Sequence, residues 1–197
     1  MGLIKFIIAV VLLPIVVAAA RAFVWEVGRL PLNVYQVLVS GIIAYLICHL
    51  FVVSLKTIYD FGQKAFAESM KFSPFLANYL PAFLPVIPML ILLALYITNA
   101  LTKGTKLEPY FIFFFSFTLT MHIVLTAQSL YSEDNTAIKA HYFLVMSVAF
   151  LLNVVFISLM LDLTFPSFSA ISFLGKAWEN MKDYYIFFYD RFCLPTK

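Results

Sequence analysis

Five long windows without a charged residue constrain this chain more than any other feature of its sequence. They cover residues 6–20, 34–55, 80–102, 109–132 and 140–161. The last four windows have 22, 23, 24 and 22 residues. About 20 apolar residues cross the hydrocarbon core of a bilayer, which is roughly 30 Å thick. The windows also lack the alternation that is typical of membrane β-strands, so the sequence predicts membrane-spanning helices.

The composition agrees with a membrane protein. Hydrophobic residues make up 63% of the chain and charged residues only 12%, whereas soluble domains contain roughly a quarter of charged residues. The 22 phenylalanines and 11 tyrosines suit lipid-facing helices with aromatic rings at the interfaces. The net charge of +3 is small and scattered, so we expect the lipid bilayer as a partner and no nucleic acid.

We predict an all-α fold, a polytopic membrane helix bundle of about five transmembrane helices followed by a C-terminal interfacial amphipathic helix. The transmembrane bundle covers residues 1–166, and the amphipathic aromatic segment covers residues 167–197. The predicted spans are at about 4–23, 34–56, 80–102, 109–132 and 140–163. The first span resembles a signal peptide, and we interpret it as an uncleaved anchor.

The segment of residues 167–197 repeats its apolar side chains at helical spacing. These side chains are Ile171, Leu174, Trp178, Met181, Tyr185, Phe188 and Phe192, with charged residues on the other side. Such a helix lies in the headgroup plane, or packs across the mouth of its own bundle or against a partner. Trp178 and Phe188 are the predicted partner contacts. A shorter amphipathic helix is predicted between spans two and three.

Three prolines interrupt the start of the third span. Pro81, Pro85 and Pro88 follow each other at i, i+4 and i+7, and each removes a backbone donor and crowds the preceding turn. Irregular backbone within a membrane must be covered by protein or water. We therefore predict a structural break here, which packs against other spans or another chain.

Two histidines occur at a similar depth in the second and fourth spans. His49 follows Cys48, and His122 follows Met121, so two imidazoles and two sulfur atoms lie near one level. Facing imidazoles could bind haem as a cofactor, and the sulfur ligands Cys48 and Met121 suit copper(I). The alternative is that each histidine hydrogen-bonds to a neighbouring helix and only stabilises the bundle.

No catalytic motif accompanies these residues. The sequence contains no CxxC, HExxH, GxxxxGK[ST], GxGxxG or GxSxG pattern, and we do not expect an enzyme. The main functional prediction is a non-catalytic accessory or scaffold subunit of a larger membrane complex of the transport type. The alternatives are a redox or metal-binding membrane protein with haem or copper, and a carrier of a small solute or lipid.

The predicted orientation follows from the basic residues outside the charge-free windows. Five of them lie on one side of the predicted membrane and eight on the other. The positive-inside tendency then predicts a cytoplasmic carboxyl terminus, while Lys5 ahead of a signal-like first span favours the reverse.

Overall fold

The structure is a computed structural model, and it describes residues 2–51, 55–69, 84–102, 107–133 and 139–192. Within these ranges the chain forms seven α-helices and no strand. In chain order they are α1 (Gly2–Val27), α2 (Leu32–Phe51), α3 (Leu55–Ser69), α4 (Val86–Thr102), α5 (Glu108–Glu133), α6 (Ala140–Thr164) and α7 (Ala170–Phe192).

The predicted all-α membrane bundle is confirmed. Four segments are long and apolar enough to cross a membrane, namely Leu3–Val27, Leu32–Phe51, Glu108–Ser132 and Ala140–Thr164. Only a minority of the residues in each segment is buried inside the bundle, so part of each helix surface is open to lipid. These are the features of a multi-pass membrane protein.

The third predicted span is the shorter apolar helix α4. It has 17 residues and begins at Val86, whereas the sequence predicted a span from residue 80; residues 80–83 lie outside the described ranges. Pro85 directly precedes the helix and Pro88 lies in its first turn. Because proline has no backbone N–H, a helix accepts it in the first turn and not further along. The prolines therefore explain why α4 begins here.

Helices α2 and α5 run in the same direction, as predicted for spans two and four. Gly41 of α2 lies so close to Phe113 and Ser116 of α5 that an added Cβ would clash with both. One turn further along each helix, the ring of Tyr45 meets the edge of Phe117. A small residue at a helix crossing allows this close approach in a membrane bundle.

An apolar core fills one half of the bundle. It contains Leu30, Val34, Leu38, Leu92, Leu95, Ile112, Phe115, Ile157, Leu161, Phe165 and Phe168. These residues belong to α2, α4, α5, α6 and the two connections at that end of the bundle. The other half of the bundle contains a smaller cluster around Tyr45 and Met121, next to the buried polar residues His122 and Thr126.

Helix α3 packs against α5 in the opposite direction and reaches the start of α4. The hydroxyl of Tyr59 lies 2.7 Å from Thr126 Oγ1 of α5. One turn further on, a Cβ added to Gly62 would lie 2.7 Å from Ile87 Cδ1 of α4. The charged residues Lys56 and Lys64 stay exposed, so the helix is amphipathic as predicted. Helix α3 therefore contacts both α5 and the start of α4.

Candidate functional site

The junction between α1 and α7 is built around the carboxylate of Glu26, which is 0% exposed. Its Oε1 accepts the backbone N–H of Ser169 at 3.0 Å, and its Oε2 accepts the Ser172 hydroxyl at 3.2 Å. Ser169 precedes α7, and its Oγ accepts the Ser172 N–H at 3.2 Å. In a capping box, an acidic side chain at the position of Ser172 would accept the backbone N–H of the N-cap residue, which here is Ser169. Here Glu26 supplies that carboxylate from another helix.

Arg29 balances the charge of Glu26 from the edge of the bundle. Its Nη1 lies 3.2 and 3.3 Å from the two carboxylate oxygens, and its guanidinium lies 5.2 Å from the centre of the Trp25 ring. The Arg29 side chain is 50% exposed, so water weakens its attraction to the carboxylate. The hydrogen bonds from α7 therefore contribute more to the junction than the ion pair does.

Helix α7 then runs along α1 in the opposite direction. Asn180 Nδ2 donates to the Ala18 carbonyl at 3.4 Å, and the Tyr185 hydroxyl donates to the Val11 carbonyl at 2.7 Å. Val11 lies one turn before Pro14, which interrupts the hydrogen bonds within α1. A side chain from a neighbouring helix commonly satisfies carbonyls near such a proline. The predicted amphipathic helix thus packs lengthwise on α1; residues 193–197 lie outside the described ranges.

Small residues on α1 allow α7 and α6 to approach closely. Ala18 and Ala22 are buried at an i, i+4 spacing, and Ala22 packs with Val154 of α6 and Phe173 of α7. This small-xxx-small pattern is typical of packed membrane helices. Glu26 lies one further turn along the same face, so one face of α1 contacts both α6 and α7.

The outer face of α7 is charged at the level of the middle of α1. Lys182 and Asp183 are exposed and lie between Asn180 and Tyr185, whose α1 partners are inside the charge-free window 6–20. Lys176 pairs with Glu179 at 3.1 Å on this face. The predicted partner contacts Trp178 and Phe188 are 58% and 45% exposed. Phe188 also lines an apolar groove of about 430 Å³ between α1 and α7.

The structure separates the two sequence-predicted imidazoles. His49 is exposed on α2, and its Nδ1 lies 3.2 Å from the Tyr45 hydroxyl. Its ring stacks on the Tyr45 ring, with 5.5 Å between the centroids. The thiol of Cys48 is free and partly buried. His49, which the haem hypothesis requires to face His122, therefore contacts Tyr45 of its own helix.

His122 and Met121, in contrast, line a single small cavity between α3, α4 and α5. The cavity has a volume of about 20 Å³, and Tyr59, Pro88 and Thr118 also line it. His122 is 4% exposed, and its Nε2 has no hydrogen-bond partner among the described residues. The ring of Tyr59 lies 5.9 Å from the imidazole, centroid to centroid. Neither His49 nor Cys48 lines this cavity.

The proline break borders the same cavity. Pro85 and Pro88 are buried, the carbonyl of Pro85 accepts the first α4 hydrogen bond from Met89 N–H at 3.0 Å, and Pro88 lines the cavity. Pro81, the third predicted residue of the break, lies outside the described ranges. Among the described residues, no group of three or more His, Cys, Asp or Glu side chains could hold a metal ion.

Sequence reasoning missed Glu26 and Asn180. Glu26 follows the first span, where a charged residue reads as an ordinary interface residue. One signal in the sequence could have indicated that Glu26 caps α7. Ser169 directly precedes α7 as its N-cap residue, but Ser172 occupies the position where a capping box has an acidic residue. Asn180 is buried at the α1 contact, on a different face from the apolar stripe that the spacing assigned to packing, whose residues Ile171 and Trp178 are exposed.

Comparison with known proteins adds nothing to these observations, since no family model, no curated protein and no solved structure matches the chain.

Proposed function

We propose that this chain is a non-catalytic integral membrane subunit, an accessory or scaffold component of a larger membrane complex of the transport type. The observation that supports this most directly is the outer face of α7, where Lys182 and Asp183 are exposed beside the apolar window of α1. A partner subunit that covers this face would separate both charges from lipid.

Lipid is an unfavourable neighbour for this face. A charged side chain at the centre of a membrane helix costs about 2.5 to 3.5 kcal/mol on insertion scales. Charged residues at this depth therefore face protein or a water-filled cavity, and they pair with one another. Helix α7 has 23 residues, which corresponds to about 35 Å at 1.5 Å per residue. It is long enough to accompany α1 through most of a bilayer.

The charges also indicate the chemistry of the partner. Lys176, Glu179, Lys182 and Asp183 alternate basic and acidic side chains along one face. A partner helix that carries both acidic and basic side chains would match this pattern. Trp178 is exposed one turn before Lys182, and tryptophan is enriched among residues that dominate binding energy. We propose that Trp178 and Phe188 contact the partner on either side of the charges.

Purification in mild detergent tests this proposal. The tagged chain is extracted, its mass is measured by light scattering, and the co-purifying chains are identified. We expect an assembly larger than the 22.4 kDa monomer, and we expect Lys182→Ala combined with Asp183→Ala to release the partner. The control is Asp162→Ala, because Asp162 is also exposed but lies on α6.

Two outcomes would count against the proposal. A monomer in every mild detergent would contradict a subunit function altogether. An assembly that survives the double substitution as well as it survives Asp162→Ala would place the contact elsewhere on the chain. Masses at multiples of the monomer would identify the partner as a second copy.

A copper or haem protein is the rival proposal, and one observation favours copper. His122 and Met121 line the same cavity, so one imidazole nitrogen and one thioether sulfur are close together, and copper(I) accepts both ligands. Elemental analysis of protein from copper-supplied cells tests this proposal, and an absorption spectrum tests for haem. We expect binding to depend on His122 and Met121, and a metal-free, colourless protein would contradict it.

From the topology in which α7 is interfacial, as the sequence predicts, we further propose that the carboxyl terminus is cytoplasmic, because eight of the basic residues outside the charge-free windows then lie on that side against five on the other. If α7 instead accompanies α1 through the bilayer, the end of α7 lies on the side of the α1 N-terminus. Cysteine labelling at Lys103 should then require permeable membranes, whereas Lys56 and Asn135 should label from outside in intact cells. Lys197 should label together with Lys103 if α7 is interfacial, and together with Lys56 if α7 accompanies α1 through the bilayer. The opposite result would reverse the orientation.

A further inference from the structure

The unpartnered nitrogen of His122 is the starting point for a second site. It is buried, it lines the small cavity at the start of α4, and it has no hydrogen-bond partner among the described residues. Leaving a buried polar atom unpaired is unfavourable, so such atoms usually bond to protein or to an internal water. The cavity has a volume of about 20 Å³, and a single water needs about 10 to 15 Å³.

The cavity offers the partners that a buried water requires. A stable internal water has about two to four polar neighbours, and three polar side chains line this cavity: Tyr59, Thr118 and His122. The Thr118 hydroxyl donates to the Phe114 carbonyl at 2.7 Å, so its oxygen is available to accept. The His122 imidazole lacks a carboxylate neighbour in the cavity lining, which favours a neutral ligand over a cation.

A larger polar cleft lies next to this cavity. It has a volume of about 170 Å³, and its lining includes Lys56, Asp60, Gln128 and Ser132. Tyr59 lines both spaces, and its hydroxyl pairs with Thr126 between them. The cleft is polar and has room for several waters, so it provides a source of water next to the His122 cavity.

The position of the cavity agrees with a functional site. The first residues of α4, from Val86 to Pro88, line it opposite His122, and the positive end of the helix dipole favours an electron-rich atom there. Broken helices whose ends meet inside a bundle form the ligand sites of many membrane transporters. Here Pro88 of the proline break and the unpartnered imidazole of His122 line the same cavity.

We propose that the cavity beside His122 is a binding site for one water molecule, supplied from the polar cleft between α3 and α5. The water bonds to His122 Nε2 and Thr118 Oγ1, and the chain thereby carries a hydrated inlet that opens on the α3 side and ends at the start of α4. This inlet does not depend on the proposed subunit function, because the α7 face is not part of it.

Water-edited NMR of the protein in lipid vesicles tests this inference. His49→Gln and His141→Gln leave His122 as the only imidazole, and ¹⁵N-labelled histidine then reports on that ring alone. We expect magnetisation to pass from water to the His122 ring nitrogen. Thr118→Val keeps the shape of the side chain and removes one water partner. It should lower the transfer about tenfold, the equivalent of about 1.4 kcal/mol.

Thr120→Val is the matched control. Thr120 lies on the same helix, its hydroxyl donates to the Ser116 carbonyl at 2.8 Å, and it does not line the cavity. We expect the control to keep the water transfer of the parent. Transfer to His122 that is no greater than transfer to the buried methyl groups of Leu92 would overturn the inference, and so would equal losses in both threonine variants.

Discussion

Removing the carboxylate of Glu26 tests how α7 is held on α1. Glu26→Ala eliminates the acceptor of the Ser169 N–H and of the Ser172 hydroxyl, and it leaves the first turn of α7 without the carboxylate that completes its cap. The same change leaves Arg29 without its partner, but that side chain is half exposed and water replaces the lost contact.

The magnitude follows from these contacts. A hydrogen bond to a charged group contributes about 1.5 to 3 kcal/mol, and two such bonds are lost. We expect Glu26→Ala to lower the free energy of unfolding by about 3 kcal/mol, the lower end of the sum of both bonds, because the Ser172 hydroxyl can turn to another acceptor. Glu26→Gln keeps one acceptor oxygen and should cost about 1 to 2 kcal/mol. Arg29→Gln removes a half-exposed guanidinium with its ion pair to Glu26, its 3.4 Å hydrogen bond to Ser172 Oγ and its contact with the Trp25 ring, and should cost about 1 kcal/mol.

The free energies are measured by unfolding in mixed detergent micelles, followed by circular dichroism. Hydrogen exchange gives the local readout, and in Glu26→Ala it should rise in the amides of residues 169–173 and stay unchanged in α5. Two results would refute the reasoning. One is an equal loss of stability in Arg29→Gln and Glu26→Ala, which would make the ion pair the main contact. The other is unchanged exchange in the first turn of α7.

Four further substitutions test the packing, and a fifth serves as a control. Gly41→Ala should lower the free energy of unfolding by about 1 to 3 kcal/mol through overpacking, while Ser40→Ala, on the exposed side of the same helix, should change it by less than about 0.5 kcal/mol. Tyr185→Phe should cost about 0.6 to 1.7 kcal/mol, the range for hydrogen bonds between membrane helices. Pro88→Ala should cost about 1 to 3 kcal/mol because it adds a buried unpaired N–H; a gain in helicity and stability would contradict the assigned helix start. Pro85→Ala should also lower the free energy of unfolding.

The architecture could be predicted from the sequence because a membrane imposes a simple rule on the chain. Every backbone donor must be satisfied inside the hydrocarbon region, so a long charge-free window becomes a helix. Residues 109–132 and 140–163, for example, correspond closely to α5 and α6. The shared direction of α2 and α5 followed from counting crossings between them. Neither step requires knowledge of side-chain packing.

The sites could be predicted only in part, because sequence spacing gives depth along a helix but not which neighbour a residue faces. The sequence placed His49 and His122 at similar depths in parallel helices, but it could not indicate that one imidazole is exposed beside Tyr45 and the other is buried beside Tyr59. The neighbour that each imidazole faces depends on how α2 and α5 pack against each other at Gly41. That contact becomes visible only when the two helices are packed.

The prolines gain a physical explanation when the start of α4 is considered together with the His122 cavity. A helix that begins inside a bundle leaves the N–H groups of its first turn without partners in its own backbone. Pro85 and Pro88 have no N–H, so two of the donors that would need partners at this start do not exist. The Val86 N–H bonds to the Leu84 carbonyl at 2.9 Å, which satisfies a further donor. The prolines therefore lower the cost of a helix start within the bundle, and this allows the cavity beside His122 to form where a continuous helix would fill the space.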